Sequence, residues 1–412
     1  MSRSTRKSSV RGAAITLWVA GVLLGGASCT SDDIAAPTRR DSPEAGPALA
    51  ATAGVALAFY QLSGGQGGYT CGVTPDYRAY CWGVNYGGQL GDGTTVTARL
   101  TPVAVEITLL FQQVSAGGSH TCGVTPDHHA YCWGSNGIGA LGDGTTDDHS
   151  TPVAVAGGHQ FRQVDAGMDF TCGVTYPDNR VYCWGNNWTG QLGDGTTTPH
   201  LTPEAVVGGL SFKQVRAGAS HTCSITTTNR AYCWGSNSYG QLGDSSKVTR
   251  LQPTQVAAGR RFREMDAGGN HTCAVTTTYR AFCWGYGRNG ALGTGKLGVA
   301  LWPRAVAGGL SFSRVTTGNG HTCGETTGNR AYCWGYNFYG QLGDGTTTNR
   351  LSPVPVAGGL SFAQASAGSQ HTCGITPVNV AYCWGDNILG ALGDGTWQNV
   401  RTTPTPVAPP AP

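Results

Sequence analysis

Residues 120–134 read HTCGVTPDHHAYCWG, and close variants of this phrase occur seven times along the chain of 412 residues. The copies align on a cysteine that recurs every 50 or 51 residues, at Cys71, Cys122, Cys172, Cys223, Cys273, Cys323 and Cys373. A second cysteine follows each of these after nine or ten residues, so fourteen of the fifteen cysteines belong to the repeat. Self-similarity with so even a period indicates an architecture in which each copy is one structural unit.

Each copy contains four short β-type segments, such as FRQVDAG, FTCGVT, RVYCWG and LTPEAV in the third copy. Gly, Asn, Asp and Pro clusters separate the segments, and helix caps are missing, so each copy is predicted to be a four-stranded meander. Strand four carries a proline in every copy, from Pro102 to Pro404, which is typical of a sheet edge. Strand one is then innermost, and a ring of such sheets is an all-β, seven-bladed β-propeller. We place it at residues 55–408, with a short tail at 409–412; FYQL near its start and TPTPV near its end complete the ring.

The cysteines set the register of the two middle strands. Pairing Cys122 with Cys132 places Gly123 opposite Tyr131, and every copy matches a small residue to an aromatic one in this way, which favours cross-strand packing. Opposed cysteines in antiparallel strands have Cα atoms about 4.5 or 5.5 Å apart, within reach of a disulfide. We therefore predict the disulfides Cys71–Cys81, Cys122–Cys132, Cys172–Cys183, Cys223–Cys233, Cys273–Cys283, Cys323–Cys333 and Cys373–Cys383. Zinc is disfavoured, because the spacing within a pair is long and no second pair lies nearby.

The segment before the repeats has a different composition. Four basic residues precede an apolar run at 13–24, which is too short for a permanent membrane span and is typical of a secretory signal, placed at 1–28. Residues 26–28 ahead of Cys29 resemble a bacterial lipobox, although Gly26 stands where leucine is usual. We expect a lipidated Cys29 that anchors the protein in the cell envelope, at the outer membrane or surface. The alternative is ordinary cleavage and secretion. Residues 29–54 indicate a flexible linker.

The formal charge of +3 reflects the signal segment, since 22 basic and 23 acidic residues remain without it. A nucleic-acid binder normally carries a basic footprint that neutralises phosphates. We therefore expect no nucleic-acid partner, membrane contact only through the lipid anchor, and a monomer.

The pattern VSAGGSHTCGVTPDHHAYCWGSNGIGALGDGTT resembles the repeat of the regulator of chromosome condensation family, a seven-bladed propeller, and in particular its exported bacterial branch with paired cysteines. The resemblance covers about 350 residues. It implies the fold and the binding of macromolecules, but members of the family do too many different things for it to imply one task. Guanine-nucleotide exchange, the activity of the founding nuclear member, is not expected, because the chain is addressed for export and its even period leaves no room for a projecting element.

Two sets of polar residues invite a chemical interpretation. Histidines precede TC in five copies, at His120, His221, His271, His321 and His371. Equivalent positions on adjacent blades should lie about 10 Å apart, too far for shared ligation of one metal ion, so we expect half-buried packing and hydrogen-bonding residues. The GDGTT aspartates offer one carboxylate per copy, too few for calcium, so we interpret them as turn residues.

Glu325 stands where the other copies have valine or isoleucine. A perturbed carboxyl group can be catalytic, but no partner acid or nucleophile accompanies Glu325, and we expect a local ion pair with Arg330. We predict no catalytic residues, no metal and no cofactor.

The turns from strand one to two and from three to four should lie on one face of the disc, and the connection after WG varies there within a constant frame. Its ligand-face candidates are Tyr86, Trp188, Tyr239, Tyr286, Tyr336, Phe338, Tyr339 and Trp397, accompanied by Ile138, Arg288 and Ile388. We expect Trp188, Tyr239, Tyr336 and Phe338 to form part of a binding patch over blades three to six, because exposed aromatic rings often anchor interfaces; the alternative is that the rings cover the blade tops as core. The predicted function is a cell-envelope binding propeller for a protein or glycan, and the alternative is an envelope enzyme with its active site at the propeller mouth.

Overall fold

The computed structural model describes residues 56–105, 108–397 and 399–411. The predicted signal segment 1–28, the linker 29–54 and Cys29 lie outside these residues. The described chain forms seven antiparallel sheets of four strands, each built from four consecutive strands in meander order. This is the predicted seven-bladed β-propeller.

The strands are given in chain order, four to a blade. Blade one has β1 (Gln61–Gly64), β2 (Tyr69–Val73), β3 (Ala79–Val84) and β4 (Ala98–Ala104); blade two has β5 (Gln113–Ala116), β6 (His120–Val124), β7 (Ala130–Gly134) and β8 (His149–Ala154); blade three has β9 (Phe161–Ala166), β10 (Phe170–Thr175), β11 (Val181–Gly185) and β12 (His200–Ala205); blade four has β13 (Phe212–Ala217), β14 (His221–Thr226), β15 (Ala231–Gly235) and β16 (Arg250–Gln255). Blade five has β17 (Phe262–Ala267), β18 (His271–Thr276), β19 (Ala281–Tyr286) and β20 (Val299–Ala305); blade six has β21 (Phe312–Thr317), β22 (His321–Thr326), β23 (Ala331–Gly335) and β24 (Arg350–Pro355); blade seven has β25 (Gln364–Ala367), β26 (His371–Ile375), β27 (Ala381–Gly385) and β28 (Arg401–Pro406). One turn of 3-10 helix lies at Ile388–Gly390, and no helix in the described ranges has the length and apolar character needed to cross a membrane.

The predicted register of the middle strands is confirmed. In blade two, Cys122 pairs with Cys132 and Gly123 with Tyr131, and every other blade repeats this register. All seven cysteine pairs form disulfides within their own blade. The proline-bearing strand is an outer edge of each sheet, as predicted, while strand one lines the central channel.

The core lies between neighbouring blades, and a tryptophan of strand three is its largest member. Trp234 of blade four is fully buried among Leu192 and Val206 of blade three, and its indole N–H donates to the carbonyl of Gln191 at 2.9 Å. Gly193 lies against the indole so closely that a Cβ there would sit 2.6 Å from its nitrogen, at a φ of +73°. Only glycine fits both the close approach and this backbone conformation, which accounts for the constant LG of the repeat.

Blade seven meets blade one without sharing a sheet. The Gln364 side chain of blade seven donates to the Leu62 carbonyl at 2.9 Å and accepts from the Leu62 N–H at 3.2 Å. The Trp82 indole N–H donates to the Ala391 carbonyl at 3.1 Å. The ring therefore closes through the same kind of contacts that join the other blades.

Candidate binding surfaces

The two faces of the disc differ in the turns that build them. On one, the turn between strands one and two bonds to the connection after strand three, as when the Ser135 N–H donates to the Ser119 carbonyl at 2.8 Å. We call this the loop face. On the other, the hairpin tip between strands two and three bonds to the start of the next blade, as when the Phe262 N–H donates to the Asn229 carbonyl at 2.8 Å. We call this the tip face.

The loop face is built on a buried asparagine in six of the seven blades. In blade four, Asn237 is fully buried, and its Nδ2 donates to Asp244 Oδ1 and to the carbonyls of Ser246 and Val248 at 3.1–3.2 Å. Its Oδ1 accepts from the Leu242 N–H at 3.0 Å. One side chain thus holds both ends of the loop, and we call this arrangement the asparagine bracket. Blade five has Gly287 at the corresponding position.

The aspartate of the GDGTT turn, which is Asp244 in the corresponding GDSSK of blade four, belongs to this bracket in addition to forming the predicted turn. Asp244 accepts from the Ser246 N–H at 3.0 Å and pairs with Arg250 at 2.8 Å. Burial acts to raise the pKa of Asp244, but the hydrogen bonds from Ser246 and Arg250 outweigh it and hold this pKa below its ordinary value. The carboxylate stays ionised and locks the loop to strand four.

Several predicted ligand-face residues are exposed on this frame. Trp188 is 66% exposed, Phe338 65% and Tyr239 41%. The remaining candidates are also accessible: Tyr86 and Trp397 are exposed, and Tyr286, Tyr336 and Tyr339 are half-buried. Ile388 and Arg288 are exposed and Ile138 is half-buried. None of these side chains is part of the buried core between blades.

Five of the eight aromatic candidates contact another candidate, and they form two separate groups. The other three are single residues. Tyr239 and Tyr286 meet edge to face across blades four and five, with ring centroids 4.9 Å apart. On blade six, Phe338 lies 5.2 Å from Tyr339 and 6.5 Å from Tyr336. Among the described residues, Tyr86, Trp188 and Trp397 make no ring contact with either group. The predicted patch therefore consists of a pair of rings on blades four and five, a separate cluster on blade six and the single Trp188 on blade three.

The predicted histidines are fully buried, whereas half-burial was expected. In each, Nε2 lies 2.8–2.9 Å from a threonine hydroxyl of the next blade, as between His221 and Thr272. Burial lowers the pKa of His221 to about 3, so the ring is neutral. In the part of the chain that the structure describes, no three His, Cys, Asp or Glu side chains are grouped closely enough to hold a metal ion.

A central channel of about 800 Å³ is lined by strand one of all seven blades. At one level, glutamine side chains satisfy the free edge of the next blade's strand: Gln61 donates to the Val114 carbonyl at 2.9 Å and accepts from its N–H at 3.1 Å. The same role falls to Gln113, Gln163, Gln214 and Gln364. We call this ring of amides the glutamine girdle. Because an edge strand presents unpaired backbone groups, the girdle joins the blades where no sheet can.

Glu325 repairs the girdle at the junction of blades six and seven. Blade six carries Arg314 in place of the glutamine, and an arginine cannot accept the next blade's N–H. Glu325, which pairs with Arg314 across the strands, accepts the Ala365 N–H of blade seven instead. The expected ion pair with Arg330 is therefore not the contact that Glu325 makes. Burial raises the pKa of Glu325 to about 7.

The channel holds further charged groups that the sequence prediction missed. Arg216 lies between Asp165 and Asp266, 3.3 Å from each. Glu264 replaces a girdle glutamine, and burial in the channel wall raises its pKa to about 8. Each carboxylate accepts a backbone N–H of the following blade, so all three have a role in joining blades. In the sequence these charged residues are visible as departures from the FxQVxAG pattern of strand one. Only the closed ring of blades brings their positions together in one channel.

Known proteins resemble the chain in sequence. A family model described as the RCC1-like domain matches residues 26–308 and 178–411. The ultraviolet-B receptor UVR8 of Arabidopsis thaliana is 31% identical over 154 residues, which are 36% of this chain and 35% of the receptor. The E3 ubiquitin-protein ligase HERC2 of Homo sapiens is 32% identical over 161 residues, 38% of this chain and 3% of the ligase. The chain spans only a minor part of the length of these relatives.

Two solved structures illustrate the shared fold. Yeast RCC1 (Prp20), determined with Kap60 bound, has a TM-score of 0.71 and 20% identity, covering 80% of this chain and 83% of that one. Human WBSCR16 has a TM-score of 0.71 and 22% identity, covering 78% of this chain and 87% of its own. At this level of identity the likeness concerns the fold alone.

Proposed function

Because the chain belongs to the RCC1-like domain family, we propose that it is a binding propeller that takes up a partner protein on its loop face. The observation that carries this proposal is the set of exposed rings, Trp188, Tyr239 and Phe338, held on a buried hydrogen-bonded frame. Large apolar side chains exposed in a group commonly mark an interaction site, and aromatic residues are enriched among the anchors of protein interfaces.

The frame beneath these rings favours binding further. Each ring is attached one or two residues from a bracket asparagine, so its backbone is fixed before a partner arrives. Pre-organisation lowers the entropy cost of ordering the site on binding. Yeast RCC1, which shares the fold, was determined with Kap60 bound, and this says nothing of the partner of this chain.

For the enzyme alternative, the channel offers charged groups, but its carboxylates are engaged in contacts between blades. Asp165, Glu264 and Asp266 each accept a backbone N–H from the next blade. Each of these carboxylates thus joins two neighbouring blades, which favours a structural role. We propose that the protein acts by binding.

Photo-crosslinking from each face of one blade tests the proposed face. A photoreactive residue at Ser238, exposed beside Tyr239, samples the loop face; the same residue at Thr228 in the hairpin tip of that blade samples the tip face. We expect irradiation in an envelope extract to give a defined protein adduct from position 238 and none of that mass from position 228. A protein adduct from position 228 alone contradicts the face assignment, and a glycan adduct from position 238 replaces the protein partner with a glycan.

We also propose that the protein is exported and lipid-anchored through Cys29. Seven disulfides in one chain support an oxidising compartment. Mass spectrometry of the N-terminal peptide should find an acylated Cys29, and Cys29→Ser should move the protein from the membrane fraction to the soluble one. An unmodified Cys29, or protein found in the cytoplasm with reduced cysteines, would contradict the proposed location.

A further inference from the structure

The cations of the propeller are concentrated on the tip face of blades three to six. Arg230, Arg280 and Arg330 hold the same place in three successive hairpin tips, and each pairs with the start of strand one in the next blade. On the loop face, by contrast, arginines such as Arg250 and Arg350 are paired with bracket aspartates. A nearly neutral chain thus carries one strongly basic surface, which net charge alone conceals.

Four of these cations line the mouth of the channel on that face. Arg162, Lys213 and Arg263 occupy the second position of the strand-one pattern, and Arg314 the third. Blades seven, one and two place Ala363, Tyr60 and Gln112 at the second position. The charge therefore forms an arc on one side of the mouth.

Carboxylates lie near the arc, since Glu325 is opposite Arg314 across the strands and Asp165, Glu264 and Asp266 line the same channel, but they accept backbone N–H groups of the next blade. None of the four cations forms an ion pair with a carboxylate of the described residues. Nε of Arg162 is buried without a hydrogen-bond partner, and burial, followed by the charge of Arg263, lowers the pKa of Lys213. Like charges held together and partly removed from water gain stability when an anion arrives.

The shape of the surface favours a slender ligand. Arg162 and Lys213 are half-buried at the channel mouth, whereas Arg263 and Arg314 are exposed, so a ligand has to enter the mouth to meet all four cations. The tip arginines continue the charge outward, beyond the reach of a single small anion. A flexible chain that bears several carboxylates meets both conditions.

Bases of a single-stranded nucleic acid stack on aromatic faces, and three rings on this side of the disc already have a cationic or imidazole side chain against one face. Arg263 lies 4.5 Å over the ring of Tyr279, and Arg260 lies 4.1 Å over Phe282. His128 stacks on Tyr176 at 4.2 Å. The contacts of Arg260 and Arg263 with these rings hold the two cations in place, so this part of the basic surface is pre-organised.

We propose that the channel mouth on the tip face binds an acidic polypeptide segment, whose carboxylates meet Arg162, Lys213, Arg263 and Arg314. This site is separate from the loop face, and its existence does not depend on the partner proposed there.

The test uses the full chain and a fluorescein-labelled peptide rich in Glu and Ser. The mouth variant Lys213→Gln/Arg263→Gln should weaken peptide binding by about tenfold, because it removes two of the four cations that meet the carboxylates of the peptide. The matched control is Lys247→Gln/Lys296→Gln, which removes the same charge from two exposed loop-face positions and should change binding by less than about twofold. Arg314→Gln, at an exposed side chain, gives an independent reading if the double mouth variant unfolds.

Two results would overturn the proposal. Equal losses in the mouth and control variants would mean that net charge alone attracts the peptide. Tighter binding of an oligothymidine, or of phosphatidylglycerol vesicles, than of the peptide would assign the surface to nucleic acid or lipid instead.

Discussion

Asn187 and Trp188 are neighbours in the chain, but they differ in burial and in how much their positions vary between blades. Asn187 is fully buried and bonds to both ends of its loop, while Trp188 is 66% exposed. At the first position six of the seven blades have asparagine; at the second each blade has a different residue, namely Tyr, Gly, Trp, Ser, Arg, Phe and Ile. A buried side chain with several hydrogen bonds cannot be exchanged without leaving polar groups unsatisfied, whereas the exposed one is free to serve a ligand.

The bracket should show the largest effect when it is broken. Asn237→Ala removes the acceptor of the Leu242 N–H and the donor to three oxygens. Unsatisfied buried groups cost about 1–3 kcal/mol each, so the free energy of unfolding should fall by about 3 kcal/mol in denaturant titration. Ser238→Ala, at the exposed neighbour, should change it by less than about 0.5 kcal/mol. Equal stability of the two variants would contradict the distinction between the buried bracket asparagine and the exposed residue beside it.

The contribution of Glu325 to the junction of blades six and seven can be tested through the pH dependence of stability. Its folded-state pKa of about 7 lies above its ordinary value of 4.5, so the protonated form is favoured by folding. Its contribution is complete at low pH and is lost as pH rises to about 7, which lowers the free energy of unfolding by about 3 kcal/mol across this window. Denaturant titrations from pH 4.5 to 7.5 measure the slope.

The control for that slope is Glu325→Gln, which keeps an acceptor for the Ala365 N–H. Its free energy of unfolding should vary less with pH over the same window, and the slope that Glu264 contributes should remain. An unchanged slope in this variant would mean that Glu325 does not titrate with folding.

The structure within each blade could be predicted from local patterns in the sequence, whereas the contacts that join neighbouring blades could not. The opposed cysteines, the Gly–Tyr matches and the edge prolines each constrain one blade, and so the register was predictable. Glu325 was assigned to Arg330 because the two are close in sequence; its acceptor contact is with a backbone N–H forty residues onward in the next blade. The basic arc was missed for a similar reason, since total charge does not show how a ring distributes its arginines between two faces.

The smallest expected effects concern the rings themselves. Edge-to-face pairs contribute about 0.5–1.5 kcal/mol, so Tyr239→Ala and Tyr286→Ala should each cost at most about 1 kcal/mol, with a similar coupling energy in the double variant. A double-mutant cycle of unfolding free energies measures this. A loss of about 3 kcal/mol for either residue would identify the rings as core and remove the basis for an exposed patch.

The most direct test of the loop-face proposal combines four substitutions, Trp188→Ala, Tyr239→Ala, Tyr336→Ala and Phe338→Ala, in one protein. Capture of the partner crosslinked from position 238 and the free energy of unfolding are measured on the same preparation. The control replaces four exposed apolar side chains of the tip face, Tyr77, Tyr176, Tyr279 and Val378, with alanine. We expect capture to be lost in the loop-face variant and retained in the control, with both proteins folded. Retained capture by a folded loop-face variant would contradict the proposal.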